Sequence, residues 1–330
     1  MEAYSNLTKK IVGQESKMLD KIWAVLASPE EAAILDMLPK PAEEIAQSAG
    51  IGLDKAEAIL GSLFHKGVAF EGIKDGKKIF RIPRHIIQFH DASLLWAEAP
   101  QELLELWAEY METDYRAMVE QMADLNAPSF MRVLAINETV EKKSKVLGYE
   151  DAVNILENAR LIAVTSCVCR KSVKKCNNPI EVCLQVNRGA EYNIKRGTGR
   201  AISLAEALDI LKLSEENGLV HMTENVADGS NVVCNCCPCC CEMLRYAHIP
   251  RTKNIVAPSR FLASVDASTC IFCGQCADIC PMKAITSDGE NPSLVNSEIC
   301  IGCGICATTC PSESIRLIEV RKEDFIPKKA

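Results

Sequence analysis

Cysteine is missing from the first half of this 330-residue chain: all 18 cysteines lie at or beyond Cys167. Thiol chemistry is thereby excluded from residues 1–166 and concentrated in the second half. Long apolar runs are absent too, since no stretch reaches the roughly eighteen apolar residues that a membrane-spanning helix needs. The opening residues, MEAYSNLTKKIVGQESKMLDK, contain no uninterrupted apolar core. No signal peptide is therefore expected, and a cytoplasmic location is. Positive charge is not in excess: 37 Lys and Arg face 44 Asp and Glu, a net charge of -7, which speaks against a general nucleic-acid binder. Nor does the sequence offer paired carboxylates or a nucleophile–base set of the kind used in acid–base or covalent catalysis.

What is present is length for two or three domains and a 48% hydrophobic share, enough for packed cores throughout. In a chain expected inside the cell, so many cysteines point to metal or redox chemistry, not to disulfides. Such sites oxidise readily, so an anaerobic or microaerobic setting is expected.

The densest pattern lies between Cys270 and Pro311. Cys270-x-x-Cys273-x-x-Cys276-x-x-x-Cys280-Pro281 recurs 30 residues later as Cys300-x-x-Cys303-x-x-Cys306-x-x-x-Cys310-Pro311, and the same shift puts Ile285 on Ile315. Three cysteines at i, i+3 and i+6 wrap a tight loop around one face of a metal cluster, and the proline after the fourth stops the helix that delivers it. Structural zinc usually takes two Cys-x-x-Cys pairs, which is a different spacing. Residues 260–320 resemble the bacterial two-cluster ferredoxins, with both motifs intact. The resemblance implies a small pseudo-twofold α+β fold, one-electron transfer and two [4Fe-4S] clusters. Because such proteins exchange the fourth ligand between runs, it implies one cluster on Cys270, Cys273, Cys276 and Cys310. The other would lie on Cys300, Cys303, Cys306 and Cys280.

A second cysteine field precedes this one. Leu161–Thr165 reads as a buried strand running into Ser166-Cys167-Val168-Cys169-Arg170, with Cys176 and Cys183 next. Ser203-x-x-Glu206 is a capping box that opens a helix closed by Gly218. Leu219–Met222 and Asn231–Val233 read as strands, the second entering Cys234-Asn235-Cys236-Cys237-Pro238-Cys239-Cys240-Cys241. Two strands ending in thiols place the middle cysteines at one edge of a small α/β layer. Buried cysteines can be plain small hydrophobes, but this second group is too dense for that. Neighbouring side chains on extended chain point apart, so only some of Cys234, Cys236, Cys237, Cys239, Cys240 and Cys241 are expected to serve one metal. Cys167, Cys169, Cys176 and Cys183 form the simplest four-thiolate set for a third centre. Ligands mixed from both groups are the alternative, with His221 as a possible nitrogen ligand against its more usual role as polar surface. The third centre is expected to be an iron–sulfur cluster or a zinc ion, with iron–sulfur favoured beside a domain that already carries electrons.

Residues 170–200 add a local charge reversal: eight basic side chains (Arg170, Lys171, Lys174, Lys175, Arg188, Lys195, Arg196, Arg200) against Glu181 and Glu191. Such charge would raise the potential of a nearby cluster, dock an acidic partner or anionic ligand, or form a solvated face. The turn Arg196-Gly197-Thr198-Gly199-Arg200 is too short to be a nucleotide loop.

In the cysteine-free half, residues 4–27 carry apolar positions at helical spacing and read as one amphipathic helix. Residues 30–82 then conform to a winged-helix plan. Helices over 30–38, 42–49 and 53–66 precede strands over 68–70 and 77–82, joined at Asp75-Gly76. The pattern resembles winged helix-turn-helix domains, many of which bind DNA. Here residues 28–90 hold eight Lys or Arg against nine Asp or Glu, so the surplus that neutralises phosphates is missing. Docking or dimerisation is the expected role. Residues 92–125 read as one or two further helices, with Trp96 and Trp107 packing a core in preference to a partner surface.

The expected architecture is multidomain α+β. A helical N-terminal half (1–130) contains the winged-helix-like module (28–90), a Cys-rich α/β middle domain spans 131–255, and a dicluster ferredoxin fold spans 256–330. The expected function is single-electron relay between redox partner proteins, as partner or subunit of an oxidoreductase system. Two alternatives stand beside it: a redox-responsive winged-helix regulator, and a reductase with a catalytic iron–sulfur centre in the middle domain.

Overall fold

Gly13 interrupts the apolar stripe of residues 4–27, and its left-handed backbone (φ 74°) ends a helix there. The single helix expected over that stretch is therefore two. In the computed structural model, which describes residues 2–227 and 229–328, these are α1 (Glu2–Val12) and α2 (Lys17–Leu26). Ser16 caps α2 by accepting from the Leu19 amide at 3.1 Å. A reciprocal Ser28–Glu31 capping box opens α3 (Pro29–Asp36), with Pro29 at a position where its missing N–H is harmless. Next come α4 (Ala42–Ala49), closed by left-handed Gly50, and α5 (Leu53–His65). Strands β1 (Phe70–Lys74) and β2 (Lys77–Arg81) pair antiparallel. Their turn, Asp75-Gly76, has positive φ at both residues, the twist that a two-residue hairpin favours. Helices α6 (Ile86–Leu94), α7 (Gln101–Glu112) and α8 (Asp114–Asp124) complete this stretch.

The chain divides into two compact units, Met1–Met118 and Val119–Ala330. In the first, Trp23 stacks on Phe89 with ring centroids 4.1 Å apart, and Trp107 meets Phe89 edge-on at 5.0 Å. Trp107 is fully buried and satisfies its indole N–H on Ser93 Oγ at 2.9 Å, so it is a core residue.

The second unit contains β3 (Met131–Val133), α9 (Ala152–Glu157), β4 (Ile162–Thr165), α10 (Val168–Val173), β5 (Cys183–Val186), α11 (Arg188–Arg196), β6 (Gly199–Ala201) and α12 (Leu204–Glu216). It continues with β7 (Val220–Glu224), β8 (Val232–Cys236), β9 (Val256–Ala257), β10 (Phe261–Val265), α13 (Gln275–Ile279), β11 (Ile285–Thr286), β12 (Leu294–Val295), α14 (Ile305–Thr308) and β13 (Ile315–Glu319). Among the described residues, seven strands form one sheet in the order β6-β4-β5-β8-β7-β3-β9. Its pairings are antiparallel except β3 with β9, so the middle region is a helix-covered, largely antiparallel layer. β4 is buried along its whole length, and Ile162 and Val164 join Leu184, Val186 and Val233 against Leu156 of α9 and Ala207 and Leu211 of α12.

The C-terminal part folds as two related halves. β10 pairs with β13 and β11 with β12, while α13 and α14 occupy matching places in the repeat. The repeat extends to the backbone: positive φ recurs at Phe272 and Gly302, Gly274 and Gly304, and Lys283 and Glu313, each pair 30 apart. The halves differ at Gly302. A β-carbon there would overlap the Phe261 carbonyl oxygen and Ser259 Oγ, whereas the first half accommodates Phe272. The second half packs tightly inside the unit, and glycine is what that close approach requires.

This part is joined to the sheet region by main-chain and buried ionic contacts. The Ile136 amide donates to the Cys303 carbonyl at 3.1 Å, and the Glu141 amide to the Leu317 carbonyl at 2.9 Å. Arg260, fully buried, donates through Nε to Glu150 Oε1 at 2.6 Å and through Nη2 to Glu150 Oε2 at 2.9 Å. Its Nη1 reaches Glu319 Oε1 at 2.7 Å.

Candidate metal centres

The tight loops of the cysteine repeat surround two cavities. One is lined by Cys280, Cys300, Cys303 and Cys306 together with Ala263, Met282, Ile285, Ile301 and Leu317. The other is lined by Cys270, Cys273, Cys276 and Cys310. Each cavity thus receives three thiols from one run and the fourth from the other. The donor chemistry fits an iron–sulfur cubane, which needs one thiolate per iron and a shell with few competing oxygen ligands.

The two surroundings differ. Around Cys300 the wall is apolar. Burial pushes the Cys303 thiol up to about 12, and burial together with the neighbouring Cys303, Cys300 and Cys280 pushes Cys306 up as well. Around Cys270 the wall is also largely apolar, with Val265, Ile271, Pro311 and Ile315, but it adds hydroxyls and solvent. Cys273 is exposed, Cys276 Sγ lies 3.3 Å from Ser293 Oγ, and Cys310 Sγ lies 3.7 Å from Ser312 Oγ. Burial works against the Cys310 thiolate, but hydrogen bonds from Ser312 and Ser314 bring its pKa below the ordinary thiol value.

The middle cysteines gather in a way that sequence proximity does not suggest. Cys176 lies with Cys237, Cys239 and Cys240, all four sulfurs being within 4.8 Å of one another. Three contacts within this set measure 3.8 Å (Cys176–Cys237), 3.7 Å (Cys176–Cys240) and 3.8 Å (Cys239–Cys240). They sit among Val173, Val182, Ile210 and Leu219. The cause is topological. Cys167 and Cys169 lie at the start of α10 and Cys176 lies past its end, a separation of about 9 Å for six helical residues. The Cys167 amide donates to the Ile180 carbonyl at 2.7 Å, so the loop carrying Cys176 folds back beside the strands. β5 lies between β4 and β8, which brings the chain leaving β8 alongside that loop. Cys176 thus groups with the second run, and Cys167, Cys169 and Cys183 are not part of its 4.8 Å set.

Cys167, Cys169, Cys241, Cys236 and Cys234 form a second group of interacting thiols, in which Cys236 and Cys241 are buried. Hydrogen bonding from Cys169 lowers the Cys167 pKa. Cys169 and Cys236 likewise hold Cys241 well below the ordinary thiol value, while Cys234, Cys241 and burial push Cys236 well above it. Cys183 opens β5, opposite Thr165, and its sulfur accepts from Gln185 Nε2 at 3.4 Å.

Arg170 stands between the two thiol groups. It is 1% exposed and donates through Nη2 to the Asn235 carbonyl at 2.6 Å, and through Nη1 to the Pro179 carbonyl. Burial opposes its charge, yet Cys167, Cys237 and Cys236 raise its pKa above the ordinary value. In the sequence it is one of eight bases in a run. Its position directly after Cys-x-Cys is the one available hint that it differs from the solvated majority. His221 is buried with both ring nitrogens engaged, Nδ1 with Asn235 Oδ1 at 2.6 Å and Nε2 with Glu215 Oε1 at 3.1 Å. It positions Asn235 and offers no free nitrogen to a metal.

No curated protein and no solved structure matches the chain. Residues 263–317, the stretch that carries both cysteine runs, match the family described as the 4Fe-4S dicluster domain, and this part of the chain is therefore an iron–sulfur domain.

Proposed function

We propose that this protein relays single electrons between redox partner proteins through two [4Fe-4S] clusters, as a partner or subunit of an oxidoreductase system. The observation that carries this reading is the pair of cavities, each walled by four thiols drawn from both cysteine runs. The clusters supply the one-electron chemistry. The chain supplies the thiolates, an apolar wall around one set, hydroxyl donors around the other, and a short path between them. The exposed end is the face where a partner docks, since Cys273 is exposed there beside Ile271, which is 59% exposed. The middle cysteines add a further metal centre, with ligands from both groups.

The N-terminal unit serves docking or dimerisation in this reading. Its order of three helices and a hairpin supports a winged-helix-like module, and its charge balance favours protein over DNA as partner. The test is iron and acid-labile sulfide per chain after anaerobic purification, with electron paramagnetic resonance of the reduced protein. About eight irons and two interacting reduced cubanes are expected. About four irons, or none, would refute the dicluster relay.

A further inference from the structure

We infer that Cys176, Cys237, Cys239 and Cys240 hold one zinc(II) ion in a closed tetrahedral site, so that the further metal centre proposed for the middle cysteines is a structural staple and not a third step in the relay. Size is the first reason. Four sulfurs about 2.3 Å from one tetrahedral ion stand about 3.8 Å from one another. The contacts of 3.8, 3.7 and 3.8 Å within the set have that spacing. A four-iron cubane binds each thiolate to a different iron and holds them farther apart. The C-terminal sets behave that way: each lines a cavity, and among the described residues only the set of Cys176, Cys237, Cys239 and Cys240 closes to within 4.8 Å.

Charge gives a second, independent reason. One divalent ion with four thiolates carries two net negative charges, and in apolar surroundings that needs a partner. Arg170 is a permanent cation, 1% exposed, held by two main-chain carbonyls beside the thiol groups of Cys237, Cys236 and Cys167. Its charge acts first with Cys167 and then with Cys237 of the set, so the guanidinium offsets part of the negative charge that a metal tetrathiolate would bring into the interior.

Four sulfurs leave no open coordination position, the mark of a structural site. Zinc(II) and iron both favour tetrahedral sulfur, and for a given ligand set zinc(II) binds more tightly than iron(II). The ion would tie the loop after α10 to the loop after β8, across 61 residues of chain.

The test uses the full-length chain, purified anaerobically with its clusters. Zinc, iron and sulfide are counted, and X-ray absorption at the zinc edge is recorded before and after dithionite. About one zinc per chain with four sulfur neighbours near 2.3 Å, unchanged by reduction, is expected. Cys176→Ser and Cys239→Ser should each lower zinc at least tenfold while leaving iron and sulfide at the wild-type count, and Cys167→Ser should retain zinc. Absence of zinc from the wild-type protein overturns the inference. So does a Cys176→Ser variant that loses iron, with or without sulfide, in place of zinc. Iron well below eight per chain with zinc intact would instead count against the dicluster relay, so the two readings fail separately. The absorption spectrum of the wild-type protein decides the matter even where a serine variant does not fold.

Discussion

Arg260→Leu is the substitution that most directly tests how the dicluster part is built into the second unit. Arg260 has no exposed side-chain surface, and Glu150 has 4%. The pair is bidentate at 2.6 and 2.9 Å, with a second carboxylate, Glu319, at 2.7 Å and the Lys145 carbonyl at 2.7 Å. Leucine removes all of these donors and leaves Glu150 ionised and buried, with the Leu147 amide at 3.0 Å still donating to it. Breaking a buried pair from one side costs about 3–5 kcal/mol, most of it from the stranded charge. Replacing both partners should cost less than the two single changes added together, because the stranded buried carboxylate is gone and Glu319, 35% exposed, keeps its access to water. The assay is anaerobic urea unfolding monitored in parallel by cluster absorbance and far-ultraviolet circular dichroism. For Arg260→Leu both transitions should move together to lower urea, and Arg260→Leu/Glu150→Leu should recover at least about 2 kcal/mol of the single-variant loss. A single-variant loss below about 1 kcal/mol, or strict additivity, would show that the bridge does not hold the unit together.

Individual residues carry further consequences. Gly302→Ala should impair cluster incorporation severely, because the new methyl meets the Phe261 carbonyl, whereas Gly274→Ala meets nothing closer than Ser287 Oγ at 3.6 Å. Gly274→Ala should therefore cost only the roughly 1 kcal/mol of its positive φ, and comparing iron retention in the two variants checks this. His85 caps α6 by accepting from the Gln88 amide at 3.2 Å, and burial, with Arg81 and Arg84 adding to it, lowers its pKa. A protonated ring cannot accept, so the cap's roughly 1 kcal/mol is present above the unfolded value near 6.5 and lost as pH falls through the lower folded pKa. His85→Ala should then destabilise the protein at pH 7.5 and progressively less toward pH 5.5, with His85→Asn abolishing the pH dependence; equal losses at both pH values would refute the cap.

The gathering of the eight C-terminal cysteines around two cavities was legible because spacing within each run is set by local chain geometry, and the repeat announces itself at a fixed shift. The Ser203 cap and the Asp75-Gly76 turn were legible for the same local reason. The middle cysteines were not. Which thiols meet there depends on β5 being inserted between β4 and β8, and on the loop after α10 folding back to Ile180. Such non-local pairing leaves no mark in the spacing, so grouping Cys176 with its sequence neighbours is the simplest choice and differs from the spatial one. His221 and Arg170 were obscured similarly, since burial and partners, not residue type, set their roles. The N-terminal stripe shows the opposite error: its periodicity is real, but Gly13 and Ser16 outweigh it over a few residues.

If the two thiol-lined cavities hold the clusters of the proposed relay, their asymmetry predicts an order of potentials. Reducing a cubane adds negative charge, which an apolar buried wall disfavours and hydroxyl donors and solvent favour. The set of Cys280, Cys300, Cys303 and Cys306 has the first environment. The set of Cys270, Cys273, Cys276 and Cys310 has the second, with Ser293 and Ser312 beside its sulfurs. Two waves separated by more than about 60 mV, a tenfold difference for one electron, are therefore expected in an anaerobic redox titration. Ser312→Ala should lower the higher wave and leave the lower one in place. Superimposed waves, or a Ser312→Ala shift confined to the lower wave, would show that these hydroxyls do not set the order. In the proposed relay, the cluster at Cys270 would hold the electron at rest and present it where Cys273 reaches the surface. The cluster at Cys300, where the Cys303 carbonyl accepts from the Ile136 amide, would then be the uphill step of that relay.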